Sequence, residues 1–173
     1  LGEIELDRAR SWIVCEGSYD GHLQGVATDG TALYWSHTVQ LVKTDLSGKI
    51  IRQVSVPNHH GDLTLHDGKV YVAVEFGEFN EPPGASDPWI YVYNAASLEL
   101  LNKHHVPELV HGAGGIAYNN GKFVVVGGLP GNHEQNYVFE YDEGFNFQKR
   151  HVLHSKQTKL GIQTAAYIDG YWW

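Results

Sequence analysis

Four tight-turn signals recur along the chain and constrain its fold more than any other feature. They are Asp29-Gly30, Asp67-Gly68, Asn119-Asn120-Gly121 and Asp169-Gly170. Such sequences favour the positive-φ turns of two-residue β-hairpins. Their spacing of about 40 to 50 residues indicates that one supersecondary unit is repeated along the chain.

The segments around these turns repeat in character as well as in spacing. In each unit a strand of small residues precedes the turn, two bulky apolar strands follow it, and a more polar strand ends the unit. The small-residue strands are predicted over 22–28, 61–66, 113–118 and 161–168. No long segment shows the apolar periodicity of an amphipathic helix. This order predicts an all-β fold, a β-propeller of four-stranded antiparallel blades, with a β-sandwich as the alternative.

The repeat also predicts how many blades the chain contains. We expect a single partial domain over 1–173, with a strand of a preceding blade at 11–17 and about three and a half further blades. The predicted blades are 22–56, 60–106, 112–153 and a truncated 161–173. Propellers close with about four to eight blades, so an incomplete ring is predicted. The absence of Met agrees with a fragment, which we expect to be monomeric once its ring is complete.

Charge and cysteine content exclude several classes of function. The net charge is −8, from 12 Lys and Arg against 20 Asp and Glu, and the basic residues do not cluster. Nucleic acid and anionic membranes are therefore not predicted partners. No apolar run approaches the roughly 20 residues of a membrane span, so no membrane insertion is predicted. The single Cys15 excludes an intramolecular disulfide and leaves a cytoplasmic, periplasmic or secreted location open.

Histidines are concentrated in one set of loops. A propeller places its first-to-second and third-to-fourth strand turns on one face and the remaining, longer loops on the other. The predicted long loops contain His22, His59, His60, His111, His133 and His154, out of 11 His in the chain. Loops on a rigid scaffold are where binding residues concentrate. We therefore expect a polar, titratable entrance to the central channel on this face.

Histidine and aspartate at the starts of the inner strands are the candidate site residues. His60 and His111 are the candidate catalytic groups, and His22, His60, Asp62 and His111 are the candidate ligands of one divalent metal, Ca²⁺ or Zn²⁺. The alternative is that these histidines make structural hydrogen bonds to the next blade. The candidate ligand-binding residues are His22, Gln24, Trp89, His133 and Gln163.

The strand order and the DG-type turns resemble the calcium-dependent six-bladed propellers. That group includes the gluconolactonase and senescence-marker-protein class, paraoxonase-like lactonases and NHL-repeat proteins. The resemblance is architectural, and it implies a divalent metal held on the axis by Glu, Asn and Asp. Gln24, Asp62 and Gln163 lie near the matching inner-strand starts, and the two glutamines depart from the family pattern.

Two classes of function follow from this reading. The first is a propeller that binds a small polar ligand at a His-rich channel mouth; its enzymatic form is a metal-dependent, lactonase-type hydrolase with the loop 77–88 as a lid. The alternative is a non-catalytic propeller that recognises a protein or a glycan through Phe76, Phe79 and Trp89. The sequence leaves open whether the protein is an enzyme.

Overall fold

The computed structural model describes residues 12–173, and within them the fold is entirely β. Three four-stranded antiparallel sheets and one two-stranded hairpin follow one another along the chain, which confirms the predicted incomplete propeller. Blade 1 contains β1 (Leu23–Thr28), β2 (Leu33–His37), β3 (Gln40–Thr44) and β4 (Ile50–Ser55). Blade 2 contains β5 (His60–His66), β6 (Lys69–Glu75), β7 (Pro88–Asn94) and β8 (Leu100–His105). Blade 3 contains β9 (Ala113–Asn119), β10 (Lys122–Gly127), β11 (Asn136–Asp142) and β12 (Phe147–Leu153), and blade 4 contains β13 (Tyr167–Ile168) and β14 (Tyr171–Trp172).

The predicted turns join the first two strands of each blade. Asp67 and Gly68 have φ values of 47° and 67°, and Asp169 and Gly170 have 52° and 88°. Positive φ at both central residues is the geometry of a hairpin turn whose twist matches its strands. Each sheet continues strand by strand in chain order, so every pair of neighbouring strands is joined by a connection that is local in sequence.

Blade 2 is buried on both faces because the central residues of its middle strands, 70–74 and 89–93, are all apolar or aromatic. Val70, Val72 and Val74 of β6 pack into a core shared with blade 1, whereas Tyr71 and Ala73 pack into a core shared with blade 3. Successive side chains of a strand point to opposite faces, which explains the alternation. The two cores hold the three blades side by side.

Inner strands approach one another so closely that only glycine fits at several points. A Cβ atom on Gly61 would lie 2.5 Å from the carbonyl oxygen of Gly114 on the next blade. A Cβ atom on Gly115 would lie 2.7 Å from the Cα atom of Thr164, in the segment that leads into blade 4. The small-residue inner strands predicted from the sequence therefore serve backbone-to-backbone packing around the axis.

The strand predicted over 11–17 is not present in residues 12–17, and Ser11 lies outside the described residues. This segment crosses the end of blade 1 at the turn between β3 and β4, where Glu16 N–H donates to Gly48 O at 2.9 Å and Ile50 N–H donates to Glu16 Oε2 at 2.9 Å. Because it meets a turn instead of an open strand edge, it cannot extend a ladder. None of the elements described is a helix of the length and apolarity that crossing a membrane would require.

Blade 4 is narrower than the other three. The predicted inner strand 161–168 is regular only at Tyr167–Ile168, and a pair of backbone hydrogen bonds between Ala166 and Trp173 lengthens the hairpin. Tyr171 and Trp173 are 68% and 74% exposed. Their hairpin has no third strand in the described residues to pack against them.

We expect Gly115→Ala to lower the free energy of unfolding by roughly 1 to 3 kcal/mol, because the added methyl group meets the backbone atoms of Thr164. Gly131→Ala is the matched control, since a Cβ atom there has no neighbour within 4 Å. Urea unfolding followed by tryptophan fluorescence measures both. Equal midpoints for the two variants would contradict the packing described at the axis.

Candidate functional site

A cleft of about 410 Å³ opens at one end of the axis, on the face of the long loops. Its walls come from the start of β1, the 56–59 segment, the 76–87 loop, the start of β9 and the 154–166 segment. The site is therefore assembled from all four blades. A cleft of several hundred Å³ with a few convergent polar groups is the usual form of a small-molecule site.

Two imidazoles share one side-chain amide at the blade 1 side of the cleft. Gln24 Nε2 lies 2.9 Å from His22 Nε2 and 2.9 Å from His59 Nε2. With the amide as donor, both rings accept at Nε2 and carry their proton on Nδ1. Burial, followed by the charge of His22, lowers the pKa of His59, which favours its neutral form. We refer to these three residues as the His22–Gln24–His59 cluster.

The backbone holds His59 firmly in this position. His59 N–H donates to Glu75 O at 3.2 Å, and Glu75 N–H donates to His59 O at 3.0 Å. His22 and Gln24 are two residues apart along an extended segment, so their side chains lie on the same side. The amide nitrogen of Gln24 also lies 3.5 Å from Thr38 Oγ1.

A buried carboxylate, Glu75, lies at the base of the cleft and fixes the loop above it. Its Oε1 accepts hydrogen bonds from the N–H groups of Gly77 and Asp87, the two ends of the 76–87 loop, and its Oε2 accepts from Ala113 N–H at 3.1 Å. The side chain is 3% exposed, and burial raises its pKa. Glu75 thus joins blade 2, the loop and blade 3.

The 76–87 loop is packed onto blade 3. Asn80 N–H donates to His111 O at 3.1 Å, and Asn80 Oδ1 accepts from Leu129 N–H at 2.9 Å. Phe79 lies over Gly112, where any Cβ atom would meet its ring. Phe76 and Phe79 line the cleft, so the loop predicted as a lid forms an aromatic wall.

His60, a predicted catalytic residue and metal ligand, does not line the cleft. It is fully buried, with Nδ1 2.7 Å from Pro57 O and Nε2 2.7 Å from the hydroxyl of Tyr93. Burial lowers its pKa to about 4. Both ring nitrogens are thus engaged in structural hydrogen bonds, which lie within blade 2 and the segment before it and do not reach the next blade as the alternative expected.

The other predicted metal ligands also lie apart. Asp62 Oδ2 accepts from Thr164 Oγ1 at 2.7 Å and from Ala165 N–H at 3.2 Å, which ties blade 2 to the segment before blade 4. His111, the second predicted catalytic residue, is buried with Nδ1 2.9 Å from Glu81 O. Within residues 12–173, no three His, Cys, Asp or Glu side chains form a group that could hold a metal. The set His22, His60, Asp62 and His111 therefore does not fit an axial metal.

Of the predicted ligand-binding residues, His22, Gln24 and Gln163 line the cleft. Gln163 Nε2 donates to Leu160 O at 2.6 Å. Trp89 lies outside the cleft lining, where its Nε1 donates to Asp87 Oδ1 at 2.8 Å and its ring stands 4.7 Å from that of His105. His133 is 5.1 Å from His111 by ring centroids, and its Nδ1 is buried without a hydrogen-bond partner.

The cleft is lined by His59 and not by its neighbour His60, which was the predicted residue. Gly61 lines the cleft as well. Alternation along an extended chain does not separate the two histidines, because the register of β5 against β6 is irregular between His60 and Leu63, and no sequence signal therefore selects His59. Asn58, next to it, also lines the cleft.

Comparisons with known proteins describe the fold. No protein-family model and no curated protein matches the chain. The computationally designed Ika4 protein is similar over 92% of this chain and 88% of its own, with TM-score 0.55 and 12% identity. Hydrazine synthase of Kuenenia stuttgartiensis is similar over 77% of this chain, with TM-score 0.57 and 16% identity, and the WD40 β-propeller domain of Doa1 over 83%, with TM-score 0.54 and 13% identity.

These similarities identify the architecture as that of a β-propeller and carry no activity at such identities. The chain spans 38% of the hydrazine synthase chain and 43% of the Doa1 chain that it matches.

Burial raises the pKa of Asp62 to about 6, against about 3.9 in an unfolded chain. The folded state therefore binds the proton more tightly, and the contribution of Asp62 to stability, present below pH 4, is lost as pH rises through 6. We expect Asp62→Asn to raise the free energy of unfolding by roughly 1 to 3 kcal/mol at pH 8 and to have little effect at pH 4.

Asp20→Asn, at an exposed carboxylate, is the control for this experiment. Urea unfolding across this pH range compares each variant with the wild type. A difference for Asp62→Asn that does not change with pH would show that its carboxylate is not buried as described.

Proposed function

We propose that the cleft binds a small, uncharged, polar ligand. The observation that carries this proposal is the convergence of imidazole and carboxamide side chains from separate blades on one open cleft with an aromatic wall. His22, Gln24 and His59 stand on one side, Gln163 on another, and Phe76 and Phe79 form the wall.

The chemistry of the lining favours a hydroxylated ligand. Amides and neutral imidazoles both donate and accept hydrogen bonds, which suits hydroxyl groups. Aromatic faces at the cleft supply apolar contact for the C–H side of such a molecule. No Lys or Arg lines the cleft, so a carboxylate or phosphate ligand would find no countercharge there. The Glu75 carboxylate is already bonded to backbone N–H groups, so it is not free to pair with a cationic organic ligand.

A lactonase-type hydrolase, as the resemblance to the gluconolactonase class implies, is the more specific form of this proposal. Of the histidines at the cleft, His22 and His59 are the bases that a bound lactone would meet, because His60 and His111 are engaged elsewhere. Binding itself requires neither proton transfer nor a metal. Hydrolysis is therefore tested separately, by following lactone opening with the same variants.

Recognition of a protein or glycan by the loop face is the second candidate. It is favoured by Phe76, which is 39% exposed at the cleft although it is a large apolar side chain. A macromolecular partner would contact the rim residues and the outer surface of the 76–87 loop. A free monosaccharide or sugar lactone would instead be held within the cleft.

We expect a panel of neutral monosaccharides and their lactones to contain ligands that raise the melting temperature of the wild-type protein in a saturable way. Gln163→Ala and Phe76→Ala should each weaken the affinity about tenfold, because a lost hydrogen bond or a lost apolar contact is worth on the order of 1 kcal/mol. Isothermal titration calorimetry measures these affinities.

Phe147→Ala is the matched control, since Phe147 is 42% exposed and lies away from the cleft on β12. It should leave the affinity unchanged. Equal loss in Phe147→Ala and Phe76→Ala, or no saturable ligand in the panel, would refute the proposal. Glycan-array binding without binding of free sugars would favour the second candidate.

A further inference from the structure

We propose that the His22–Gln24–His59 cluster is a binding site for a divalent transition metal ion such as Zn²⁺, Ni²⁺ or Co²⁺. This inference goes beyond the proposed ligand-binding function and does not depend on it. It also differs from the axial metal that the resemblance implies, both in its residues and in its ligand chemistry.

The geometry of the cluster is that of a partly formed coordination site. Two imidazole Nε2 atoms lie at the same distance, 2.9 Å, from one atom of Gln24. A zinc ion binds imidazole nitrogen at about 2.0–2.1 Å, and two ligand atoms at that distance from one ion are roughly 3 Å apart. The contacts of 2.9 Å are therefore short enough for each ring nitrogen to share an ion with the end of the Gln24 side chain. The ring centroids of His22 and His59 are 6.1 Å apart and tilted by 56°, so the rings do not block one another.

Gln24 can provide a third ligand. Rotation of its carboxamide by half a turn exchanges Nε2 for Oε1, which places a carbonyl oxygen where the donor now stands. Two nitrogens and one oxygen leave further positions for water on the cleft side. Imidazole ligands favour Zn²⁺, Ni²⁺ and Cu²⁺ over Ca²⁺, which takes oxygen ligands.

The surroundings favour a cation at this point. No Lys or Arg lines the cleft, so no cationic side chain repels a metal ion there. The chain as a whole carries a net charge of −8.

The backbone also limits the freedom of the ligands. His59 is fixed by two hydrogen bonds to Glu75, and His22 by its N–H, which donates to Thr38 Oγ1 at 3.3 Å. Ligands held in place before the metal arrives lose less entropy on binding. Without a metal, Gln24 Nε2 bonds to both ring nitrogens, so the three side chains already converge on one point.

Titration of the full chain with ZnCl₂ in a calorimeter tests the proposal, with Co²⁺ absorption spectra as a second readout. We expect one Zn²⁺ per chain, and we expect His22→Ala and His59→Ala each to weaken binding at least tenfold. Gln24→Glu should strengthen binding, since it replaces a neutral oxygen by a charged one, and Gln24→Leu should weaken it. His105→Ala, at a histidine that is 47% exposed in its side chain and outside the cleft, should leave binding unchanged.

Several results would overturn the inference. These are the absence of Zn²⁺ binding by the wild type, equal loss in His105→Ala and His59→Ala, or undiminished binding in the double variant of His22 and His59. Circular dichroism shows whether each variant is folded. If an alanine variant fails to fold, the expected gain in Zn²⁺ affinity of Gln24→Glu still tests the site. Phe76→Ala should bind Zn²⁺ normally, so failure of the metal site and failure of ligand binding are distinguishable.

Discussion

The close approach of the inner strands is the constraint on which the rest of this structure depends. Where Gly61 faces Gly114 and Gly115 faces Thr164, backbone meets backbone without an intervening side chain. This contact brings the starts of β1, β5 and β9 to one end of a narrow axis. Side chains separated by many residues in sequence thereby border one cleft. Without it, the loop histidines would lie on separate blades with no common space between them.

The fold could be predicted from sequence because its determinants are local. Turn residues such as Asp67-Gly68 specify a hairpin by themselves, and the alternating apolar residues of β6 and β7 specify two buried faces. The prediction of a strand at 11–17 is wrong over 12–17. A β-rich composition does not reveal whether a neighbouring strand has a free edge with which the segment could pair. For this segment, the neighbour is a turn.

The site was harder to predict because it depends on the direction of single side chains. The register of β5 against β6 shifts between His60 and Leu63, and that of β1 against β2 shifts between Leu23 and Gly25. Such irregularities redirect side chains next to functional sites and have no reliable sequence signal. His60 consequently bonds to Tyr93 inside blade 2, and His59 reaches Gln24 on blade 1. Asp62, which was also a predicted metal ligand, instead accepts a hydrogen bond from Thr164 and so joins blade 2 to the segment before blade 4.

Both the cleft and the inferred metal site depend on the His22–Gln24–His59 cluster. Its hydrogen bonding can be observed directly by ¹⁵N NMR of the histidine rings. With Gln24 donating to both rings, His22 and His59 in their neutral forms should both show unprotonated Nε2 and protonated Nδ1. Replacement of Gln24 by Leu should change both ring spectra together and leave that of His105 unaltered. Nε2 protonated on either ring, or spectra of His22 and His59 that do not respond to the loss of Gln24, would contradict the cluster.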